Sequence, residues 1–131
     1  MGTIINQSII VSAFDDKTIE AAYEKALQLF EDFNVSNLSK VGTNGIRSFC
    51  VFPCGSKYGW QQAVQHEKNL KELTQFLQAM AYDDGSSPVE FVSVEFCGEM
   101  GYLSSKGSKI ICDQSSLMNE DKANKHELFH F

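Results

Sequence analysis

Residues 46–97, IRSFCVFPCGSKYGWQQAVQHEKNLKELTQFLQAMAYDDGSSPVEFVSVEFC, carry the reading that decides the fold. The run 46–53 (IRSFCVFP) is β-branched and aromatic and is closed by Pro53, which has no N–H for a ladder, so it reads as a strand. A helix is expected over 60–82. Trp60, Val64, Leu70, Leu73, Leu77 and Met80 recur there at helical spacing and mark one apolar stripe. His66 stands among Gln65, Glu67 and Lys68 and is expected to face solvent. Asp83-Asp84-Gly85-Ser86-Ser87-Pro88 stops the helix and turns the chain. In 89–97, Val92, Val94 and Phe96 alternate with Ser93, Glu95 and Cys97, which predicts a core face and a wetter face. Strand, helix and strand make a crossover long enough for parallel pairing, with a right-handed connection.

Working outward, residues 3–13 (TIINQSIIVSA) read as a strand. Asp15 or Asp16 is expected to cap a helix running to about Phe33, with Ile19, Ala22, Tyr23, Ala26, Phe30 and Phe33 on one stripe. Asparagine, serine and glycine mark 34–45 as a loop. On the other side, a loop through Gly98, Gly101 and Gly107 leads to a short fourth strand, Lys109–Asp113. Residues 1–113 are expected to form one domain. Residues 114–131 read as a polar tail with a short helix near Asn119. The expected fold is α+β: a two-layer α/β sandwich, in the order β-α-β-α-β-β, with a four-stranded mixed sheet and two helices on one face. It is ferredoxin-like in architecture. The other sheet face, with polar side chains and Phe91, reads as a solvated face or a docking surface.

Hydrophobic residues make up 43% of the chain and charged residues 21%, which excludes a disordered segment. The formal net charge of −6 argues against direct nucleic-acid binding and suits a basic protein partner, such as one that itself handles nucleic acid. The absence of a signal sequence and of a long apolar run makes a cytoplasmic protein away from membranes the expectation. A dimer is compatible with this composition. Cys50 and Cys54 lie about 13 Å apart by strand rise, too far for a zinc pair, so the four cysteines read as separate thiols. Cys54, in a turn ahead of a helix and near Lys57, is the one expected to react. No cofactor is expected.

The turn Gly55, Ser56, Lys57, Tyr58, Gly59 and Trp60 lies between a strand end and a helix start. Backbone N–H groups, the helix dipole and Lys57 would favour an anion there, and Tyr58 and Trp60 would stack on a ring. It reads as an ordinary strand-to-helix turn anchored by Trp60 or, alternatively, as a phosphate or nucleotide site, although it is neither a P-loop nor a GxGxxG turn. His126-Glu127-Leu128-Phe129-His130 has HExxH spacing, so His126 and His130 would be the ligands of a zinc-dependent hydrolase. Its place at the very end of the chain disfavours a rigid metal cleft. Asp83, Asp84, Glu90, Glu95 and Glu99, near Phe91, are expected to form a solvated acidic rim that could also meet an arginine-rich partner; binding a cation or acid–base work is the alternative.

Pro53-Cys54-Gly55-Ser56-Lys57-Tyr58-Gly59-Trp60, with Asp84-Gly85-Ser86-Ser87-Pro88 and Val92-Ser93-Val94-Glu95-Phe96, resembles small phage and prophage proteins. Those carry a Pro-Asp-Gly-Ser-Lys-x-Gly-Trp turn, a charged helix and a Val-x-Val-x-Phe-Gly strand. The resemblance covers about residues 46–99; Cys54 stands where the pattern has Asp, and Cys97 is inserted before Gly98. It implies a mobile-element origin and no particular activity. The expected function is a non-enzymatic interaction protein, of the kind that inhibits a bacterial defence system in the manner of an anti-CRISPR. The alternatives are a nucleotide-binding domain at Gly55–Trp60 and a zinc hydrolase at the C-terminal HELFH.

Overall fold

The computed structural model of the chain describes residues 3–107. Its elements are β1 (Asn6–Ala13), α1 (Asp16–Leu29), β2 (Arg47–Val51), α2 (Gln61–Gln78), β3 (Val89–Cys97) and β4 (Gly101–Gly107). The sheet order is β2-β1-β3-β4, and every neighbouring pair is antiparallel. Both helices pack on one face, so the α+β two-layer architecture is as expected. The sheet is antiparallel throughout rather than mixed. The first strand inserts between β2 and β3, so the β2-α2-β3 crossover passes over β1 instead of joining neighbours. An 18-residue helix, about 27 Å long, spans one strand spacing or two equally well. The layers are those of ferredoxin-like folds; the connections differ.

The core lies between the sheet and the helices. Ile9, Val11 and Ala13 meet Phe49 and Val51 on one side and Val89 and Phe91 on the other. Ile19, Ala22 and Ala26 of α1 and Leu70, Leu73 and Leu77 of α2 cover them. The α1 start follows from its cap: the Asp15 carboxylate accepts from the Thr18 N–H at 3.0 Å and from its hydroxyl at 2.7 Å. The helix stops at Leu29, short of Phe33. Asp32–Asn34 forms a separate 3₁₀ turn, and Phe33 is 75% exposed.

The buried stripe of α2 also differs from the expected one. Val64 and Trp60 are more than half exposed, while His66 is only 5% exposed. The stripe is His66, Leu70, Leu73 and Leu77, spaced four, three and four. The His66 Nε2–H donates to the Gln7 carbonyl at 3.0 Å, and its ring meets Phe30 edge-on at 5.4 Å. A histidine among polar neighbours therefore belongs to the core side.

In β3 the expected faces are exchanged. Val89 and Phe91 pair with Ala13 and Val11 and point under the helices; Val92, Val94 and Phe96 point to the open face. Phe91 is 6% exposed, so it is a core residue and not part of a docking surface.

Residues 101–107, expected as loop, form β4. A bulge at Leu103 lets Ser104 pair with Glu95 and Tyr102 with Phe96. At Gly107 an added Cβ would lie 2.4 Å from the Phe91 carbonyl oxygen, so this close crossing needs glycine. The expected strand 109–113, the boundary at 113 and the tail 114–131 lie outside the described residues. No helix among the described residues is long and apolar enough to cross a membrane.

The outer edge of β2 is closed by the segment that precedes it. Val35 bridges to Val51, the Phe52 N–H donates to the Asn34 carbonyl, and the Ser36 and Ser39 N–H groups donate to the Cys50 and Ser48 carbonyls. The hydroxyls of the same two serines accept from the Cys50 and Ser48 N–H groups, each at 2.8 Å. Two serine side chains thus stand in for strand backbone.

Candidate functional site

The open sheet face is built by strand alternation. Because Ile9, Val11 and Ala13 point to the helices, Ser8, Ile10 and Ser12 point away from them. The registers place Cys50, Ile10 and Val92 in one cross-strand row. Ser8, Val94 and Ser105 form the next, and Asn6, Phe96 and Tyr102 a third. An apolar diagonal results, running Ile10, Val92, Val94, Phe96, Tyr102. Ile10 is 50% exposed and Tyr102 64%.

The polar groups of this face largely satisfy one another. Ser12 and Ser48 share a hydroxyl–hydroxyl bond of 2.7 Å, the Tyr102 hydroxyl donates to Ser105 at 2.7 Å, and Ser8 donates to the Val51 carbonyl. Such a face loses its water at little cost. Charged residues make up 21% of the chain, yet among the described paired positions that point to this face Glu90 is the one charged side chain; Arg47, Glu95 and Lys106 alternate to the helix side. An ordinary solvated face would hold several. Depletion of charge at the centre of a patch is what separates interface cores from the rest of a surface.

The six residues expected on the partner-facing rim divide three ways. Asp83 and Asp84 lie in the turn that leads into β3, Glu90 opens the exposed side of β3, and Glu99 lies in the β3–β4 turn; all four are exposed. They therefore flank the apolar diagonal at its two ends. The Ser86 hydroxyl and N–H bond the Asp84 carboxylate and hold its pKa below the usual value. Phe91 is in the core. Glu95 is on the helix side, where α2 does not reach across β3 and β4 and a trough of about 410 Å³ remains. There the Ser104 hydroxyl and the Gln7 amide bond its two oxygens at 2.7 and 2.6 Å. Those bonds, with Lys106 nearby, hold the Glu95 carboxyl below its ordinary range against partial burial. Glu67 also accepts from Gln7, at 3.3 Å.

The turn before α2 is less of a unit than expected. Gly55 and Gly59 adopt φ of +79° and +88°, which bends the chain twice. Gly55 and Ser56, with Cys54, line a cavity of about 810 Å³ beside His66. Lys57, Tyr58, Gly59 and Trp60 lie outside that lining. The Lys57 ammonium sits 5.0 Å from the Trp60 ring centroid, which engages both in a cation–π pair. Trp60 makes no side-chain cap on α2.

Cys50, Cys54 and Cys97 are free thiols, and among the described residues no three His, Cys, Asp or Glu side chains gather as a metal site. Cys112 and the HELFH segment, with His126 and His130, lie outside the described residues. Reading the sequence alone misses His66, the Gln7–Glu95–Ser104 network and Tyr102. A stripe phased on His66, Leu70, Leu73 and Leu77 was the available signal for the first.

No family model, no curated protein and no solved structure matches the chain.

Proposed function

We propose that this chain is a non-catalytic protein-binding domain that docks through the open face of its sheet. The observation that carries the reading is the apolar diagonal Ile10–Val92–Val94–Phe96–Tyr102, with its hydroxyls already paired and Glu90 the one charge among the described paired positions that point to this face. The acidic groups stand at the two ends of that diagonal. They fit a partner whose apolar patch is rimmed by lysine and arginine. Proteins that handle nucleic acid present such surfaces, and this supports the role expected of a small acidic mobile-element protein that blocks a host defence protein.

The test is the double substitution Ile10→Asp with Phe96→Ser, followed by in-cell cross-linking and rebinding to the purified partner. Both side chains lie on the open face, so the circular dichroism spectrum and Tm should stay close to those of the parent protein. Expected is a basic partner captured by the parent protein, released by added salt and lost with the double variant. The same partner held equally by both proteins refutes the docking face. A homodimer in sedimentation experiments that the double variant splits assigns the face to self-association and overturns the reading.

A further inference from the structure

The large apolar side chains left exposed are unevenly placed. Because β1 is antiparallel to β2 and β3, its start lies beside their ends. The start of α2 lies there too, since His66 bonds the Gln7 carbonyl and the Tyr58 N–H donates to the Thr3 carbonyl at 2.7 Å. The α1–β2 connection joins them, because the Phe52 N–H donates to the Asn34 carbonyl at 2.7 Å. Four segments thus meet at one end of the domain: the lead into β1, the α1–β2 connection, the β2–α2 turn and the β3–β4 turn. They expose Ile4, Phe33, Phe52, Tyr58, Trp60 and Met100. Tyr58, Trp60 and Met100 are each more than half exposed, and Phe33 three-quarters. The opposite end differs. There Phe14, Val41 and Tyr82 are spread among Asp15, Asp16, Arg47, Asp83 and Asp84.

Exposed apolar groups that gather in this way mark an interaction site. None of the six belongs to the diagonal on the open sheet face. They stand on turns and segment ends rather than on one strand face, so they protrude separately. The core of a protein interface is packed as densely as a protein interior and needs a partner of matching shape. A fluid lipid layer adapts to each side chain on its own. Tyr58 and Trp60 each join an apolar ring to a polar O–H or N–H, the chemistry that settles both residue types at the level of lipid headgroups. The charged residues of the four segments are Glu31, Asp32, Lys57 and Glu99. Acids outnumber the lysine, and the whole chain carries −6, so an anionic membrane repels this end while a zwitterionic one does not. The backbone polar groups of the turns cannot enter hydrocarbon, which limits entry to the side chains. Contact of this depth needs no spanning helix.

We propose that this end of the domain docks on the surface of a zwitterionic lipid bilayer, with the Phe33, Tyr58 and Trp60 rings seated at headgroup depth.

Trp60 is the one tryptophan in the chain, so its fluorescence reports on this site alone. The experiment is titration of the full chain with phosphatidylcholine vesicles, followed by Trp60 emission and by co-sedimentation. Emission should move to shorter wavelength as vesicles are added. Lipids brominated high on the acyl chain should quench it more than lipids brominated near the chain end. The double variant Phe33→Ser with Tyr58→Ser removes two exposed rings that lie outside the core, so Tm should stay near that of the parent protein while partitioning falls tenfold or more. Ile10→Asp alters the open sheet face alone and should bind vesicles as the parent does. Emission and sedimentation unchanged at millimolar lipid would overturn the proposal. Equal partitioning of the double variant, or binding that appears only with anionic vesicles, would do the same. A soluble protein captured by the parent and lost by the double variant, without vesicle binding, assigns this end to a protein partner and overturns it as well.

Discussion

His66→Gln should flatten the pH dependence of stability below about pH 6.5. In the folded chain, burial disfavours the imidazolium more than the bond to the Gln7 carbonyl favours it, so the folded pKa lies below the ordinary value of 6.5. In the unfolded chain the ring titrates near its ordinary value. Its contribution to stability is therefore complete above about pH 6.5 and is lost as pH falls from there through the folded pKa. One proton taken up on unfolding gives a slope of at most about 1.4 kcal/mol per pH unit. A chain of this length unfolds with an entropy of roughly 0.27 kcal/mol/K, so Tm should fall by up to about 5 °C per pH unit. The carboxylates held low, Asp15, Asp84 and Glu95, act in a more acid window, because their stabilisation is lost only as pH drops below ordinary carboxylate values. Scanning calorimetry at half-unit steps reads the slope. The glutamine variant loses the ring contact with Phe30 and starts from a lower Tm, yet its slope in this window should be a small fraction of the parent slope. Parallel curves for the two proteins would show that His66 does not titrate against burial.

Leu73 is fully buried, so Leu73→Ala should cost about 3–4 kcal/mol and lower Tm by about 10–15 °C in calorimetry. Ser39→Ala removes the hydroxyl that accepts from the Ser48 N–H; it should cost about 1 kcal/mol, and exchange of that amide should speed up about fivefold in hydrogen-exchange NMR. Gly107→Ala drives a methyl group onto the Phe91 carbonyl and should cost about 1–3 kcal/mol, with exchange protection lost in β4 and kept in α1.

Element positions were largely legible in the sequence, because capping and turn chemistry is local. Asp15 caps through Thr18, and Asp84 closes its turn through Ser86, as their residue types suggest. Pairing partners were not legible, since nothing local tells a crossover to pass over β1 rather than beside it. The faces of β3 were misread for a related reason. Val89 and Phe91 are apolar on one side and Val92, Val94 and Phe96 on the other, so the period of two has no single phase. The choice comes from Val11 and Ala13, which lie far away in the chain. On α2, Trp60 and Val64 were drawn into the stripe by hydropathy, while four leucine- and histidine-spaced positions set the true one. The candidate surface was legible in part. Glu90, Glu99 and the Asp83-Asp84 pair flank it, but its apolar centre emerges only when three strands are laid side by side. Ser56 and His66, ten positions apart in chain order, meet around one cavity because the glycine turn folds back beside the helix.

The placement of β1 has a consequence for how the molecule is made. Of the four strands described, the one that leaves the ribosome first is an inner strand of the finished sheet. Ser8 waits for Val51, 43 positions later, and Gln7 for Glu95, 88 positions later, before either flank is occupied. Until then Ile9 and Val11 have no sheet to join. Folding of this sheet on the ribosome should therefore wait until β3 has emerged, and the stretch made before then should depend on holding factors.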